Sequence, residues 1–323
     1  MSRHPLEAGF TQSVDCFEAA VDKNGNKLDM RYFGVSQRGE RLEHLFEQDS
    51  RVDLRSVSKP IVSLTLGALI DSDVEVAGHK LTLDLSAAAA LDRHFPSTDA
   101  REAWRAVTIR HLISNTIGHQ EGFFFRKDLA GVPESEYLAY ALGQPLAHTP
   151  GSHFSYSNVG PFLLSVILQD HLGVSLRDLA IRQILAPLGI EAPWRNYADY
   201  TAGCTGLGLT GAELLRFGEL LLAHGSLVGG KSLVDPGWIA AATAPQVETP
   251  GMFDESRVFP KFGYGFAFWV CKDGVYYCDG TDGQYLIVIP AADLTIVTTG
   301  SQPDMKPITR CMVPLLTESG RPA

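Results

Sequence analysis

Apolar and polar positions follow different rhythms in successive parts of the chain. The first fifty residues are predicted as strands, because two runs alternate on either side of a turn at Gly39: MRYFGVSQRG and ERLEHLFE. Residues 56–71 are predicted as a helix with apolar side chains on every side, as in a central, buried helix. From about residue 74 to residue 200, the spacing is helical with loops between the helices.

The last third of the chain combines helices with a run of strands. Residues 210–224 have amphipathic helical spacing, and Asp235 followed by Pro236 marks the start of a shorter helix. Aromatic and β-branched runs separated by turn residues then predict an antiparallel meander, in the order FGYGFAFWV, GVYYC, QYLIVIP and LTIVTTG. The chain therefore returns to strands at its C-terminal end.

This order of elements predicts an α+β fold. The N- and C-terminal strands share one antiparallel sheet that is flanked by helices, and a mostly helical domain is inserted between them. We predict a discontinuous sheet domain from residues 1–72 and 205–323, and a helical domain from residues 73–204. The active site is expected in the cleft between the two domains.

Composition narrows the possible partners. The 323 residues are 45% hydrophobic, which is enough for a large core, and the formal net charge is −10. The sequence has no basic stripe that would displace counterions from phosphates, so it argues against nucleic-acid binding. It does not indicate an oligomeric state.

The N-terminus and the cysteines both favour a cytoplasmic protein. MSRHPLEAGFTQSVDCFEAA lacks the continuous apolar core of a signal peptide, and no apolar segment is long enough to span a membrane. The five cysteines are scattered without a CxxC pair, and we expect buried, unpaired side chains rather than a disulfide framework. They are Cys16, Cys204, Cys271, Cys278 and Cys311.

The stretch DLRSVSKPIVSLTLGALID places a serine and a lysine at the start of the buried helix. Ser56 and Lys59 are three residues apart, so they lie about one helical turn apart on the same side. Amides at a helix N-terminus stabilise an oxyanion, and a desolvated lysine has a lowered pKa and can accept a proton. Chance alone gives roughly 0.6 Ser-x-x-Lys matches, so the placement of this pair indicates nucleophilic catalysis more than its spacing does.

A second motif lies in HTPGSHFSYSN. Chance gives only roughly 0.15 Tyr-x-Asn matches, and this one pairs Tyr156 with Asn158. A tyrosine on such a loop can pass a proton between nucleophile and leaving group, and the Asn158 amide can orient the lysine or hold a substrate carbonyl. An ordinary turn, with Ser157 or Asn158 as cap of the next helix, is compatible with this role.

SVSK, SYSN and the glycine-rich DGTDGQYLIVIP, in this order, resemble the serine β-lactamase and penicillin-binding protein superfamily. The resemblance runs from about residue 34 to residue 300. It is greatest to the class C-like branch, which contains esterases, D-aminopeptidases and 6-aminohexanoate-dimer hydrolases. It implies a β-lactamase/transpeptidase-like fold and an acyl-enzyme that needs no cofactor or metal. By this resemblance, Ser56 is the nucleophile, Lys59 and Tyr156 are base and acid, and Asn158 positions the substrate.

The third motif departs from the family pattern. A Lys- or His-x-Gly strand is usual there, and the cation helps to hold a substrate carboxylate. Here a cysteine stands in place of the cation, so penicillins and D-Ala-D-Ala peptides should be poor substrates. The resemblance also implies an oxyanion hole formed by the amides of Ser56 and Thr281. The third-motif strand comprises Cys278, Asp279, Gly280, Gly283 and Gln284.

We therefore expect a cytoplasmic serine hydrolase that acts on a small ester or amide. Three alternatives remain: β-lactamase or DD-peptidase-type activity, an acyltransferase that uses the same acyl-enzyme, and a non-catalytic sensor of this fold. The GxSxG elbow of other serine hydrolases and metal-ligand spacing are both absent from the sequence. His111 and His119 are expected to be hydrogen-bonded structural residues, and residues 118–127 are expected to shape the acyl or leaving-group pocket.

Overall fold

The structure, a computed structural model, describes residues 5–320. Its helices are α1 (Glu7–Ala19), α2 (Lys59–Asp71), α3 (Ala87–Ala90), α4 (Thr98–Ala103), α5 (Ile109–Ile113), α6 (Tyr137–Gly143), α7 (Val159–Leu172), α8 (Leu176–Ala180), α9 (Gly211–Leu222), α10 (Pro236–Ala242), α11 (Lys306–Cys311) and α12 (Val313–Glu318). A 3₁₀ turn, Arg55–Ser58, leads directly into α2. The ends of the predicted sheet domain, residues 1–4 and 321–323, lie outside the described residues.

The strands form one large sheet and three short two-stranded sheets. They are β1 (Met30–Gln37), β2 (Glu40–Leu45), β3 (Val52–Asp53), β4 (Glu75–Val76), β5 (His79–Lys80), β6 (Asn196–Tyr197), β7 (Tyr200–Thr201), β8 (Gly208–Leu209), β9 (Val247–Glu248), β10 (Gly263–Tyr264), β11 (Trp269–Val270), β12 (Tyr276–Gly280), β13 (Gln284–Ile289) and β14 (Leu294–Gly300).

The large sheet unites the two ends of the chain. Its order is β2-β1-β14-β13-β12-β11-β10-β9, with antiparallel pairing throughout. β1 pairs with β14 so that Phe33 lies opposite Thr298. The N-terminal part of the chain supplies β1 and β2 of this sheet, and the C-terminal part supplies β9 through β14. The predicted α+β fold class is therefore confirmed, while the domain division at residues 72 and 205 stays a prediction.

Both faces of the sheet are covered, which follows from the alternation of side chains along each strand. On β13, Leu286 and Val288 belong to the large core shared with the central helices. Tyr285, Ile287 and Ile289 point the other way, into a second core beneath α1, α11 and α12. The sheet is thus the middle layer between two sets of helices.

The central helix α2 lies in the large core, as the sequence predicts. Every residue from Lys59 to Leu69 is buried, and the helix packs against α7, α8 and α10. Only its first turn differs from the prediction, since Ser56 lies on the preceding 3₁₀ turn. The buried lysine therefore stands at the point where this turn becomes the α-helix.

The N-terminal segment corrects two predictions. Residues 7–19 form a helix, not a strand, and its Phe10 and Phe17 pack on Phe33 of β1. Cys16 in this helix and Cys311 in α11 form a disulfide, so the expectation that all five cysteines are unpaired is wrong for this pair. The spacing of the sequence could not indicate the pair because 295 residues separate the two positions.

Capping side chains set the starts of the predicted helices. Thr210 Oγ1 accepts the Glu213 N–H at 3.1 Å, and Glu213 Oε2 accepts the Thr210 N–H at 3.0 Å, which is a capping box. Asp235 Oδ1 accepts the Gly237 N–H at 2.7 Å at the start of α10. Both helices therefore begin where the sequence predicts.

Between residues 5 and 320, no single helix is long and apolar enough to cross a bilayer. Two consecutive helical segments, joined at a bend of 87°, would together be long and apolar enough by length and composition alone: Val159–Leu172 and Leu176–Leu188.

Candidate active site

The residue before Ser56 is held in an uncommon conformation. Arg55 has a φ of 52°, in the left-handed region that costs a residue with a side chain on the order of 1 kcal/mol. Asp53 holds it from two directions: Oδ1 accepts the Arg55 N–H at 2.8 Å, and Oδ2 lies 2.7 Å from Nη1. Asp282 binds Nε of the same guanidinium at 2.9 Å. Two carboxylates thus fix the backbone from which Ser56 projects.

Asp53 also connects this turn to the loop before β8. Its Oδ1 accepts the Gly206 N–H at 2.9 Å and lies 3.4 Å from Thr205 Oγ1. That loop supplies the main-chain oxygen of Cys204, which is a hydrogen-bond acceptor for Lys59. One carboxylate therefore sets the relative position of the serine and of the acceptor for the lysine.

Lys59 is buried beside Ser56. It is 1% exposed, and its Nζ donates to Ser56 Oγ at 2.7 Å and to the Cys204 carbonyl oxygen at 3.2 Å. Burial lowers the pKa of Lys59 to about 8, because removal from water disfavours the ammonium more than Cys204, Asp279 and Cys278 favour it. Near neutral pH, a fraction of this amine is uncharged and able to accept a proton.

Tyr156 is a second neighbour of the same hydroxyl. Its phenol lies close enough to Ser56 for that side chain to lower its pKa, and Lys59 Nζ lies 5.1 Å from the ring centroid. The ring stacks between Trp269 at 5.2 Å and Phe125 at 6.3 Å. Burial raises the pKa of Tyr156 well above its usual value, so this side chain stays a protonated phenol that can pass a proton on.

Asn158 is the residue before α7 and lines the cleft. Its Nδ2 donates to the Phe124 carbonyl oxygen at 3.1 Å, whereas its buried Oδ1 has no hydrogen-bond partner among the described residues. No hydrogen bond within residues 5–320 joins it to Lys59. Of the two roles considered for this amide, the geometry favours contact with substrate over orientation of the lysine.

Gly280 lets the end of β12 approach the turn that carries Ser56. A Cβ on this glycine would lie 2.4 Å from the Leu54 carbonyl oxygen and 3.0 Å from Arg55 Cβ, so only glycine permits this distance. The next residue, Thr281, lines the same cleft as Ser56. The strand therefore brings Thr281 to the wall that faces the serine.

Asp279 does not leave an unpaired charge at the site. Its Oδ2 lies 3.1 Å from Lys261 Nζ, and its Oδ1 accepts the Trp269 indole N–H at 2.8 Å. Lys261 is buried and lies 3.8 Å from the centroid of the Trp269 ring. Cys278, where the family has a cation, is buried, with Sγ 3.6 Å from the Ala267 carbonyl oxygen.

The remaining residues of the third motif shape the turn after β12. Gly283 has a φ of 95°, which glycine adopts without strain. Gln284 is buried, and its Nε2 donates to the Gly300 carbonyl oxygen at 2.7 Å and to that of Asp282 at 3.0 Å. These two residues hold the turn and do not line the cleft.

The segment 118–127 packs directly against the Tyr156 loop. A Cβ on Gly122 would lie 1.7 Å from the Tyr156 carbonyl oxygen, so the two backbones are in contact there. Phe124 is fully buried against Phe162, and residues 125–127 line the cleft. The predicted pocket-forming part of this segment is therefore its C-terminal end.

The two candidate histidines have structural surroundings. His111 completes the capping box of α5 with Thr108. His119 packs on Trp104 and Phe123, and burial lowers its pKa to about 4. Its Nε2 has no hydrogen-bond partner among the described residues, so the expected hydrogen bond is not made at that atom. Tyr264 of β10 is buried, and its ring lies 5.9 Å from that of Tyr156.

Ser56, Asn158 and Thr281 open into one cleft of about 660 Å³. The structure places Lys59 and Tyr156 next to Ser56, so these five residues lie at one site. The sequence did not identify Asp53, Asp282, Lys261 or the Cys204 carbonyl oxygen as parts of it. Within residues 5–320, no group of three or more His, Cys, Asp or Glu side chains has the geometry to hold a metal ion.

Comparison with known proteins gives both sequence and structural matches. The sequence model of the Beta-lactamase family matches residues 8–307. The chain is 29% identical over 178 residues to a D-aminopeptidase from Brucella canis, a match that covers 53% of this chain and 31% of that protein. It is 26% identical over 175 residues to penicillin-binding protein 4* from Bacillus subtilis, covering 52% and 35%. The match thus spans about a third of the length of these relatives.

Solved structures match over nearly the whole chain. EstCE1, a hydrolase with promiscuous acyltransferase activity, has a TM-score of 0.74 at 17% identity, covering 95% of this chain and 99% of that one. A predicted 6-aminohexanoate-dimer hydrolase from Bacillus anthracis has a TM-score of 0.72 at 18% identity, covering 91% and 81%. At these identities the matches establish the fold, which is the one that the sequence predicts.

The surroundings of Lys59 lead to a testable titration. In protein labelled with ¹³C at lysine Cε, we expect the Lys59 resonance to titrate near pH 8, because burial destabilises its ammonium. Burial also lowers the pKa of Lys261, so both lysines need assignment. Lys59→Met should remove the resonance, and Lys261→Met should leave it in place. A Lys59 amine that titrates near 10.5 would contradict the role given to burial.

Proposed function

The chain belongs to the beta-lactamase family, and we propose that it is a serine hydrolase that cleaves a small ester or amide through an acyl-enzyme on Ser56. One observation carries the proposal: a buried lysine with a lowered pKa lies 2.7 Å from a serine hydroxyl that opens into a cleft. A nucleophile adjacent to a base is the arrangement that covalent catalysis requires.

In the proposed acylation step, neutral Lys59 accepts the hydroxyl proton of Ser56 while Oγ attacks the substrate carbonyl. Lys59 is the better base in the free enzyme because the pKa of Tyr156 is raised by burial, which keeps the phenol protonated. As the tetrahedral intermediate collapses, Tyr156 gives its proton to the leaving group and is reprotonated by Lys59. The bond from carbonyl carbon to leaving group breaks, and the acyl group stays on Ser56.

The oxyanion of the intermediate needs hydrogen-bond donors in a fixed position. We assign this role to the backbone amides of Ser56 and Thr281, which lie on the two elements that meet at Gly280. Asn158, with its amide at the cleft, is assigned to substrate positioning. Lys59 then accepts a proton from the water that attacks the acyl carbon, the bond from this carbon to Ser56 Oγ breaks, and the proton returns to Ser56 as the acid product leaves.

Esters and amides are favoured over β-lactams because the third motif supplies no cation. Cys278 is buried and neutral, and the nearby carboxylate of Asp279 is paired with Lys261. A penicillin carboxylate would therefore lack the charge-assisted bond that the Lys- or His-x-Gly strand provides.

Ser56→Ala should abolish both turnover and covalent labelling, because within residues 5–320 no other hydroxyl accepts a hydrogen bond from Lys59 Nζ. The measurement is hydrolysis of 4-nitrophenyl butyrate, with mass spectrometry to locate the adduct of a serine-reactive phosphonate. Ser301→Ala, on an exposed serine outside the cleft, is the control and should retain both. Labelling at a different residue, or rapid hydrolysis of nitrocefin by the wild type, would contradict the proposal.

Activity should rise with pH around the pKa of Lys59. Below about pH 8 the ammonium cannot accept the serine proton, and above it the amine can. We expect kcat/KM for the neutral ester, corrected for spontaneous hydrolysis, to increase from pH 6 with an inflection near 8. Lys59→Arg should lose activity by roughly 10²–10⁴-fold because its guanidinium stays protonated. A profile that falls between pH 6 and pH 8 would exclude Lys59 as the base.

Gly280→Ala should lower kcat while the protein remains folded. The added Cβ would meet the Leu54 carbonyl oxygen at 2.4 Å, so β12 must move away from the turn of Ser56 and widen the proposed oxyanion hole. Loss of one such donor costs on the order of 10²-fold in kcat. Gly143→Ala is the control, since its Cβ would contact nothing within 4 Å. Equal kcat in the two variants would remove Thr281 from the oxyanion hole.

A further inference from the structure

We propose that the cleft selects esters or amides that carry a negatively charged group, and that Arg126 and Lys127 bind this group. The inference rests on the proposed function, since it concerns substrates that are cleaved at Ser56. The third-motif strand has no cation that could bind an anion, and we assign this role to the loop 125–128.

The two side chains lie at the centre of a tight turn on the cleft wall. The Asp128 N–H donates to the Phe125 carbonyl oxygen at 2.9 Å, and Asp128 Oδ2 accepts the Phe125 N–H at 2.9 Å. Arg126 and Lys127 are therefore the two central residues of a four-residue turn that is closed by one backbone and one side-chain hydrogen bond. A turn fixed in this way presents both cations at little further cost in backbone entropy.

The turn is also fixed relative to the catalytic residues. Phe125, its first residue, stacks on Tyr156 with ring centroids 6.3 Å apart. Gly122, three residues earlier, brings the backbone of this segment against that of Tyr156. Ser56, Arg126 and Lys127 line one cleft, so a ligand there can reach the nucleophile and the two cations together.

The charge balance of the cleft leaves these two cations without partners. Arg55 is bound by the two carboxylates that line the cleft, Asp53 and Asp282. Arg195 is paired with Glu134 at 2.8 Å. Neither Arg126 nor Lys127 makes an ion pair or a side-chain hydrogen bond with any residue from 5 to 320. Unpaired positive charge in a cleft of a chain with a net charge of −10 attracts anionic ligands locally.

Apolar side chains form another part of the cleft wall. Leu129, Tyr137 and Tyr197 line the cleft together with Phe125. They suit a substrate with a short apolar body, with the scissile carbonyl at one end and a carboxylate or similar anion at the other.

The test compares three chromogenic esters that differ by one carboxylate and its position, with each rate corrected for spontaneous hydrolysis. 4-Nitrophenyl butyrate is neutral, mono-4-nitrophenyl glutarate carries a carboxylate on the acyl side, and 3-carboxy-4-nitrophenyl butyrate carries one on the leaving group. We expect kcat/KM for one of the two anionic esters to exceed that for the neutral ester by on the order of tenfold at low salt, and the ratio to fall as NaCl is added. The favoured ester identifies the side of the cleft on which the anion binds.

In Arg126→Glu/Lys127→Glu, the ratio of kcat/KM for the favoured anionic ester to kcat/KM for the neutral ester should fall to one or below. The matched control is Arg182→Glu/Lys231→Glu, which makes the same charge change at exposed positions outside the cleft and should retain the preference. An anionic-to-neutral ratio that is equal in wild type and in the cleft variant would overturn the inference. Phosphonate labelling of Ser56 in every variant separates that outcome from a failure of the proposed function, in which the wild type would be neither labelled nor active.

Discussion

Burial of the Lys59 ammonium is the constraint on which the site depends. A lysine at the start of a fully buried helix must find acceptors or lose its charge, and among the described residues its acceptors are Ser56 Oγ and the Cys204 carbonyl oxygen. A shift in pKa from 10.5 to about 8 corresponds to about 3 kcal/mol against the charged form. Because the unfolded chain binds this proton more tightly, the cost to stability is absent above pH 10.5 and reaches its full value below pH 8. The same cost makes the amine a base at neutral pH, so the burial that weakens the fold also activates the serine.

The other parts of the site keep this pair in a fixed geometry. Asp53 is central because one carboxylate holds the left-handed Arg55, and with it the turn of Ser56, and also the loop that carries the Cys204 oxygen. Gly280 admits β12 to the same turn from the side of the sheet. A proton-transfer site tolerates little displacement, since each partner must stay within hydrogen-bond reach. Short contacts from three separate segments, and not one rigid element, therefore define where the serine oxygen lies.

What the sequence could predict follows from the range of the interactions. Ser56 and Lys59 share one helical turn, so their contact is local, and strand alternation predicted the sheet because the period of two is also local. The left-handed Arg55 and the main-chain acceptor at Cys204 have no signature in side-chain type, although Asp53 stands only three residues before Ser56 in the same stretch. The pairing of Lys261 with Asp279 and the bond between Cys16 and Cys311 depend on the tertiary fold. The helix at residues 7–19 was missed because its apolar face covers the outer side of the sheet and its pattern is weak.

The distribution of charge around the cleft connects the substituted third motif with the turn at residues 125–128. Where the family places a cation on the strand, this chain has a buried thiol at Cys278 and, beside it, a carboxylate neutralised by Lys261. The sheet side of the cleft is thus nearly neutral, and Arg55 is held by its two carboxylates. The unpaired positive charge lies instead on the loop of the helical region, at Arg126 and Lys127. A carboxylate bound there would be held by the segment that packs on Tyr156, and not by the strand that carries Cys278. A change in the position of the cation, more than its loss, would then account for a substrate preference different from that of enzymes that bind penicillin.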